Sequence, residues 1–259
     1  MTCLNIAAYR FVTLTDLPAL RERLHEAAAS RGLKGTVLLA EEGINLFLAG
    51  EARAVRAWRA LLCEDARFTD IEVKESHSDT QPFQRLKVKV KREIIRMDHP
   101  TLRPEAGRAP AVDAATLARW LDAGVDDSGR PVTLLDTRNA FEVDHGAFAG
   151  AIDWRIDKFT EFPARLAEQV EALKDVTVVS YCTGGIRCEK AALLMRERGL
   201  AHVYQLDGGI LKYFETVGQA HFHGGCFVFD EREVLDARLA PLTARAGEPP
   251  GSSVASASD

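Results

Sequence analysis

The chain lacks the features that would put it in a membrane, in a secretory pathway or around a structural zinc ion. None of its five cysteines (Cys3, Cys63, Cys182, Cys188 and Cys226) forms a Cys-x-x-Cys pair, so a zinc site of the usual spacing is not expected. An odd cysteine count without a signal peptide also speaks against a disulfide framework. No stretch approaches the ~18 consecutive apolar residues that span a bilayer. The longest, such as Thr36-Val37-Leu38-Leu39-Ala40, look like buried strands. Met1-Thr2-Cys3-Leu4-Asn5 has neither the basic start nor the apolar run of a signal peptide. A soluble cytoplasmic protein with no membrane partner is expected. Positive charge is also in deficit: the formal net charge is -5, which taken alone argues against coating nucleic acid by bulk attraction. What is present is ordinary globular composition, 46% hydrophobic and 27% charged, which excludes collagen, a coiled coil and wholesale disorder. At 259 residues the length suits one large or two small domains.

The first hundred residues alternate short elements. Asn5 to Thr13 reads as a strand. Thr15 or Asp16 then caps a helix carrying Leu17, Leu20, Leu24 and Ala28 at helical spacing, and Gly32 ends it. Gly35 to Ala40 and Ile44 to Ala49 form a hairpin about Glu41-Glu42-Gly43. Glu51 to Cys63 is a helix with Val55, Trp58 and Leu62 inward, and Ile71 to Ser76 is a further strand. The order β-α-β-β-α-β is the ferredoxin-like arrangement.

The run Arg85-Leu86-Lys87-Val88-Lys89-Val90-Lys91-Arg92 alternates with period 2. It puts Arg85, Lys87, Lys89 and Lys91 on one face and turns Leu86, Val88 and Val90 inward. Residues 81–99 carry a local net charge of +4, so the rest of the chain carries -9. Two readings stand: a solvated face of lysines guarding a sheet edge, or a patch that contacts phosphates.

Residues 100–110, with Pro104 and Gly107, read as a linker. Beyond them helices (Asp113 to Ala123, Phe162 to Leu173, Ile186 to Arg198) alternate with strands (Val132 to Asp136, Val176 to Tyr181, His202 to Leu206). That alternation implies a parallel sheet covered by helices, making the chain α/β and α+β overall. The expected units are residues 1–99, the linker, residues 111–220, a C-terminal segment at 221–244, and a disordered tail at 245–259 rich in small polar residues.

Chemistry concentrates in Tyr181-Cys182-Thr183-Gly184-Gly185-Ile186-Arg187-Cys188-Glu189-Lys190-Ala191. A strand delivers Cys182 to a turn and a helix begins at once, so the thiol lies at the carboxyl end of a strand, where open α/β sheets bind ligands. The glycines let successive amides converge on an anion. The helix N-terminus and Arg187 add positive charge. All three favour thiolate over thiol.

This loop, with Asp136-Thr137-Arg138, Glu142-x-x-His145-Gly146-x-Phe148-x-Gly150-Ala151 and Leu206-Asp207-Gly208-Gly209-Ile210, closely resembles the rhodanese domain. The resemblance implies a persulfide on Cys182, cradled by Thr183, Gly184, Gly185, Ile186 and Arg187. Related phosphatases place five residues between cysteine and arginine. Here four intervene, a ring better sized for one sulfur atom than for a phosphoryl group. Cys188 either resolves the persulfide as a disulfide or simply sits in the first helical turn. Asp136 and Arg138 read as a charged pair that braces the loop.

The resemblance extends over roughly residues 5–235. Gly35-Thr36-Val37-Leu38-Leu39-Ala40-Glu41-Glu42-Gly43-Ile44-Asn45, then Pro82-Phe83-x-Arg85-Leu86-Lys87-Val88-Lys89-Val90-Lys91, look like the N-terminal half of the oxygen-dependent tRNA uridine(34) hydroxylases. Cys226-Phe227-Val228-Phe229-Asp230-Glu231-Arg232 is similar to the same family. A generic rhodanese would share only the second half. Membership implies hydroxylation of the wobble uridine at carbon 5, with molecular oxygen as co-substrate, no other cofactor evident, and the anticodon region of tRNA as partner. The basic strand would hold the tRNA backbone. The Cys-rich C-terminal extension of many members is replaced here by a short Ser/Ala tail. It implies no particular reductant or oligomeric state. The alternatives are a sulfurtransferase passing sulfane sulfur from Cys182 to an acceptor, and an RNA-binding module with a vestigial rhodanese domain. His77-x-Asp79 lies in a polar loop with no third ligand placed by spacing. In His221-x-His223-x-x-Cys226 the two adjacent glycines and the cysteine suit a turn entering a strand rather than a metal site. Gly208-Gly209 lacks the third glycine of a dinucleotide fingerprint.

Overall fold

Strands β1 (Cys3–Phe11), β2 (Lys34–Ala40), β3 (Gly43–Gly50), β4 (Val73–Ser78) and β5 (Leu86–Val90) form one sheet in the order β4-β1-β3-β2-β5. The computed structural model describes residues 2–242, so the tail expected at 245–259 lies outside the described residues. Neighbours are antiparallel except β2 and β5. Helices α1 (Leu17–Ala29) and α2 (Ala52–Cys63) complete the ferredoxin-like order. The Glu51 carboxylate caps α2 by accepting from Arg53 N at 3.1 Å. Asp16 occupies the cap position of α1 but makes no cap hydrogen bond. Its carboxylate is drawn instead to Arg67, with Nη2 to Oδ2 at 3.0 Å.

Period-2 alternation decides which face the helices cover. Leu4, Ile6, Val37, Leu39, Ile44, Leu46 and Leu48 are buried against Leu20, Leu24, Val55, Trp58 and Leu62. Their alternates, including Asn5, Ala7, Tyr9, Asn45 and Phe47, point to the opposite face, which no helix of this half covers. Strand β5 extends the sheet at its edge. Lys87 lies opposite Thr36 and Lys89 opposite Leu38, on the uncovered face shared with Phe47. Val88 is buried and Leu86 half-buried, but Val90 is 43% exposed. The expectation that Val90 packs inward is therefore corrected. It sits at the last position of an edge strand, beyond Val88, whose carbonyl accepts from Arg21 of α1 at 3.2 Å.

The second half holds β6 (Ala111–Val112), α3 (Ala114–Ala123), β7 (Val132–Asp136), α4 (Ala140–Val143), β8 (Gly146–Phe148), β9 (Ile152–Asp153), α5 (Phe162–Gln169), β10 (Thr177–Tyr181), α6 (Ile186–Glu197), β11 (Val203–Leu206) and α7 (Gly209–Val217). Its sheet, β6-β11-β10-β7-β9, is parallel throughout. One face packs Val179, Tyr181 and Leu206 on α3 and α7 through Leu117, Trp120, Ile210, Tyr213 and Phe214. The other packs Leu135, Val178 and Val203 on α5 and α6 through Phe162, Leu166, Leu194 and Met195. All five residues of central β10 are buried, and its two hydroxyl side chains are satisfied there: Thr177 donates to Asp126 at 2.6 Å and Ser180 to Cys188 O at 3.1 Å. The C-terminal segment adds β12 (Phe222–Gly224), β13 (Cys226–Phe227) and β14 (Val234–Leu235). Among the described residues, no helix is long and apolar enough to cross a membrane.

The halves are tied together. The segment 100–110 is anchored on the second half: Thr101 donates to Glu197 at 3.2 Å and Arg108 pairs with Asp207 at 2.9 Å. Lys190 of α6, 2% exposed, reaches Glu42 (2.8 Å) and Glu93 (2.7 Å) of the first half. From the C-terminal segment, Arg232 donates to Ser76 of β4 at 2.7 Å.

Candidate active site

β10 ends at Tyr181, and the chain turns through Cys182 to Gly185 before α6 starts at Ile186. Gly185 permits the turn: its φ is +105°, and a Cβ there would lie 3.0 Å from the Tyr9 hydroxyl of the first half. Gly209 packs the next strand-to-helix turn beneath the loop. Its φ is +68° and a Cβ would lie 2.5 Å from Cys182 O. The amides at the start of α7 hold the loop carbonyls, Ile210 N to Cys182 O at 2.9 Å and Leu211 N to Thr183 O at 3.1 Å. The loop is thus fixed by backbone bonds on one side and by a tyrosine from the other half.

Cys182 is fully buried and its Sγ accepts from Gly185 N at 3.1 Å. Burial by itself pushes the thiol pKa up. The neighbouring Cys188 thiol, the Arg187 guanidinium and the loop amides more than reverse this and bring it to about 5. Cys182 is therefore a thiolate at neutral pH. Cys188 is affected the opposite way. Burial and the adjacent Cys182 thiolate hold its pKa well above the usual thiol value, and its Sγ donates to Gly185 O at 3.0 Å.

Arg187 is committed to a partner. Its guanidinium makes a bidentate pair with Glu142, Nη1 to Oε2 at 2.5 Å and Nη2 to Oε1 at 2.7 Å, and Glu142 is fully buried. The carboxylate holds the arginine beside the loop and offsets its desolvation. Asp136 and Arg138 form a second buried pair (Nη2 to Oδ2 2.6 Å), and Arg138 also donates to Gly146 O at 2.7 Å. Between them Thr137 Oγ1 donates to Tyr181 O at 2.9 Å, directly before the cysteine.

Above the loop, the uncovered face of the first sheet closes a cavity of about 460 Å³. Asn5, Tyr9, Asn45, Phe47, Lys74 and Phe83 line it from the first half. Asn139, Cys182, Thr183, Gly184, Ile186, Arg187, Phe229 and Arg232 line it from the second. A lining of aromatic side chains with a few polar groups suits a small organic ligand held beside the thiolate. Of the residues expected from sequence, the loop lies at this cavity. Arg85, Lys87, Lys89 and Lys91 do not line it; they are exposed at the β5 edge. Among the described residues no three His, Cys, Asp or Glu side chains cluster as metal ligands. His77 is exposed, and His221 is within 2.9 Å of Asp122.

Several site residues escaped sequence reasoning. Tyr9 donates to Glu189 at 2.8 Å behind the loop. Lys74 faces the cavity from β4. Its ammonium pKa lies below the usual lysine value, chiefly because of burial, and the charges of Glu72 and Cys182 only partly offset this. Nothing marks either residue in the sequence, because each acts on a loop more than a hundred positions away. Glu142 did carry a signal, since it stands within the rhodanese-like run.

Comparison with known proteins covers both halves. The UPF0176 acylphosphatase like domain matches residues 3–94 and the Rhodanese-like domain residues 115–216. A tRNA uridine(34) hydroxylase of Variovorax paradoxus is 64% identical over 96% of this chain and 96% of its own length. Proteins of the same name from Bordetella petrii (63%; 93% of this chain, 95% of that one) and Delftia acidovorans (64%; 92% and 90%) are similar. With both halves matched nearly end to end, the chain belongs to the tRNA uridine(34) hydroxylase family.

Proposed function

We propose that this protein hydroxylates carbon 5 of the wobble uridine of tRNA, consuming molecular oxygen, in the cytoplasm. One observation carries the reading: the buried Cys182 thiolate opens into a cavity whose other wall is the uncovered sheet face of the first half. A sulfurtransferase needs the loop but has no use for that wall. An anticodon loop offers unstacked bases that can be turned into such a cavity. The exposed lysines of β5 continue the same sheet face outward, where they suit the RNA backbone and supply affinity without sequence information. Cys182, as thiolate or persulfide, is the reactive group. The Cys188 thiol, the neighbouring amides and the Arg187 charge hold it ionised, Glu142 keeps Arg187 in place, and Asp136 and Arg138 brace the strand end beside it. Placing one oxygen atom of molecular oxygen in the C5–H bond sends the other to water, so two electrons and two protons enter from a reductant outside the chain.

The test is nucleoside mass spectrometry of tRNA from cells lacking the gene. Derivatives of 5-hydroxyuridine should vanish and return with the wild-type gene. Their persistence in the deletion strain would refute the reading. The sulfurtransferase alternative requires instead that thiosulfate-to-cyanide transfer be robust and indifferent to substitutions in the β1 and β4 wall.

A further inference from the structure

The segment Cys226-Phe227-Val228-Phe229 adjoins the cavity. Large hydrophobic side chains are rarely exposed here, yet Phe229 is 53% exposed and Phe141 is 45% exposed. They belong to one cluster. The Phe141 and Phe227 rings lie 5.2 Å apart, Phe227 and Phe229 5.3 Å, and Phe141 and Phe229 6.3 Å, all edge to face. His145 stacks on Phe227 at 5.5 Å. Phe229 lines the same cavity as Cys182, and the Arg187 guanidinium lies 5.9 Å from its ring centroid. Exposed Lys158 and Arg96 line that cavity too.

Two wet phenylalanine rings are costly unless a partner covers them. Edge-to-face packing holds the Phe229 ring upright, and rings presented this way serve single-stranded nucleic acids as stacking platforms. The occupant is indicated by continuity and charge. The ring borders the cavity proposed for the target uridine, and cations for flanking phosphates stand on the cavity lining. A base bonded through the backbone to that uridine must lie within about one nucleotide of the ring.

We propose that Phe229, braced by Phe141 and Phe227, stacks the nucleobase next to the target uridine and so holds the loop open while the uridine enters the cavity. This rests on the reading of the site as a tRNA hydroxylase. The test uses the full-length protein and an anticodon stem-loop hairpin with 2-aminopurine on the 5′ or, separately, the 3′ side of the target uridine. Binding to wild type should change the fluorescence at one of these positions. Phe229→Ala should abolish that change and weaken the Kd by between about fivefold and a hundredfold, and Phe229→Trp should retain both. Because the ring is exposed, Phe229→Ala should melt with the wild type, which keeps a folding defect separate. Wild-type binding with no fluorescence change at either position, or a Phe229→Ala Kd within twofold of wild type, would overturn the platform and leave the hydroxylase reading intact. Failure of the wild type to bind the hairpin would overturn both.

Discussion

The two sheets of this chain are finished differently. The parallel sheet of the second half is covered on both faces, so its accessible chemistry is confined to the strand ends, and Cys182 stands at the end of β10. The first sheet is covered on one face by α1 and α2 and leaves the other bare. Each fold leaves something uncovered: a strand end in one half, a sheet face in the other. Neither surface encloses a cavity alone. Their apposition does, held by Lys190 with Glu42 and Glu93 and by Tyr9 with Glu189. The difference extends to how charge is used. The second half buries its site arginines in carboxylate pairs, and the first leaves the basic residues along β5 (Arg85, Lys87, Lys89 and Lys91) in water at a sheet edge.

The largest effect is expected where a buried charge is left unpaired. Glu142→Ala strands Arg187 in the covered half and should cost about 3–5 kcal/mol of stability, read as a lowered Tm by calorimetry. A loss below about 1 kcal/mol would mean that the pair is not held out of water. The next effect concerns the thiol. Ultraviolet thiolate absorbance should show a step near pH 5 that Cys182→Ser removes. The folded value lies below that of the unfolded thiol. The resulting stabilisation is therefore complete above the usual thiol range and is lost as pH falls through about 5. Lys74→Met, from the opposite wall, should move that step upward, since its positive charge favours the thiolate. An unchanged step would place Lys74 outside the field of Cys182. The smallest effect is expected at the exposed edge. Lys87→Ala with Lys89→Ala should weaken tRNA binding about threefold to tenfold and flatten the salt dependence by about two ions. An unaltered slope would leave these lysines as solvated edge residues.

Sequence reading succeeded where the signal is local. The βαββαβ order, the strand-loop-helix about Cys182 and the helix periodicities all depend on neighbours within one or two turns. It failed in two physical situations. Strands β6, β9, β12, β13 and β14 are two or three residues long, too short for alternation to register. Position at an edge also defeats alternation, which is why Val90 faces water although its pattern matches buried Val88. The site shows the same division. The loop and the Asp136–Arg138 pair were legible because their residues are close in sequence. Arg187 and Glu142 each stood in a rhodanese-like motif, but their pairing across 45 residues was not legible. Tyr9, Lys74 and the Lys190 clamp depend wholly on how the halves meet. The uncovered sheet face was implicit in the helix count, as two helices on a five-stranded sheet cover one side. What occupies the other side belongs to tertiary structure.

The proposed role of the Cys182 thiolate is to perform the chemistry in the cavity between the two halves. It is tested most directly by nucleoside mass spectrometry of tRNA from the deletion strain carrying the Cys182→Ser gene, with the variant protein confirmed as folded and present at wild-type level. No 5-hydroxyuridine derivative should be detected. Restoration to the wild-type amount would contradict the claim.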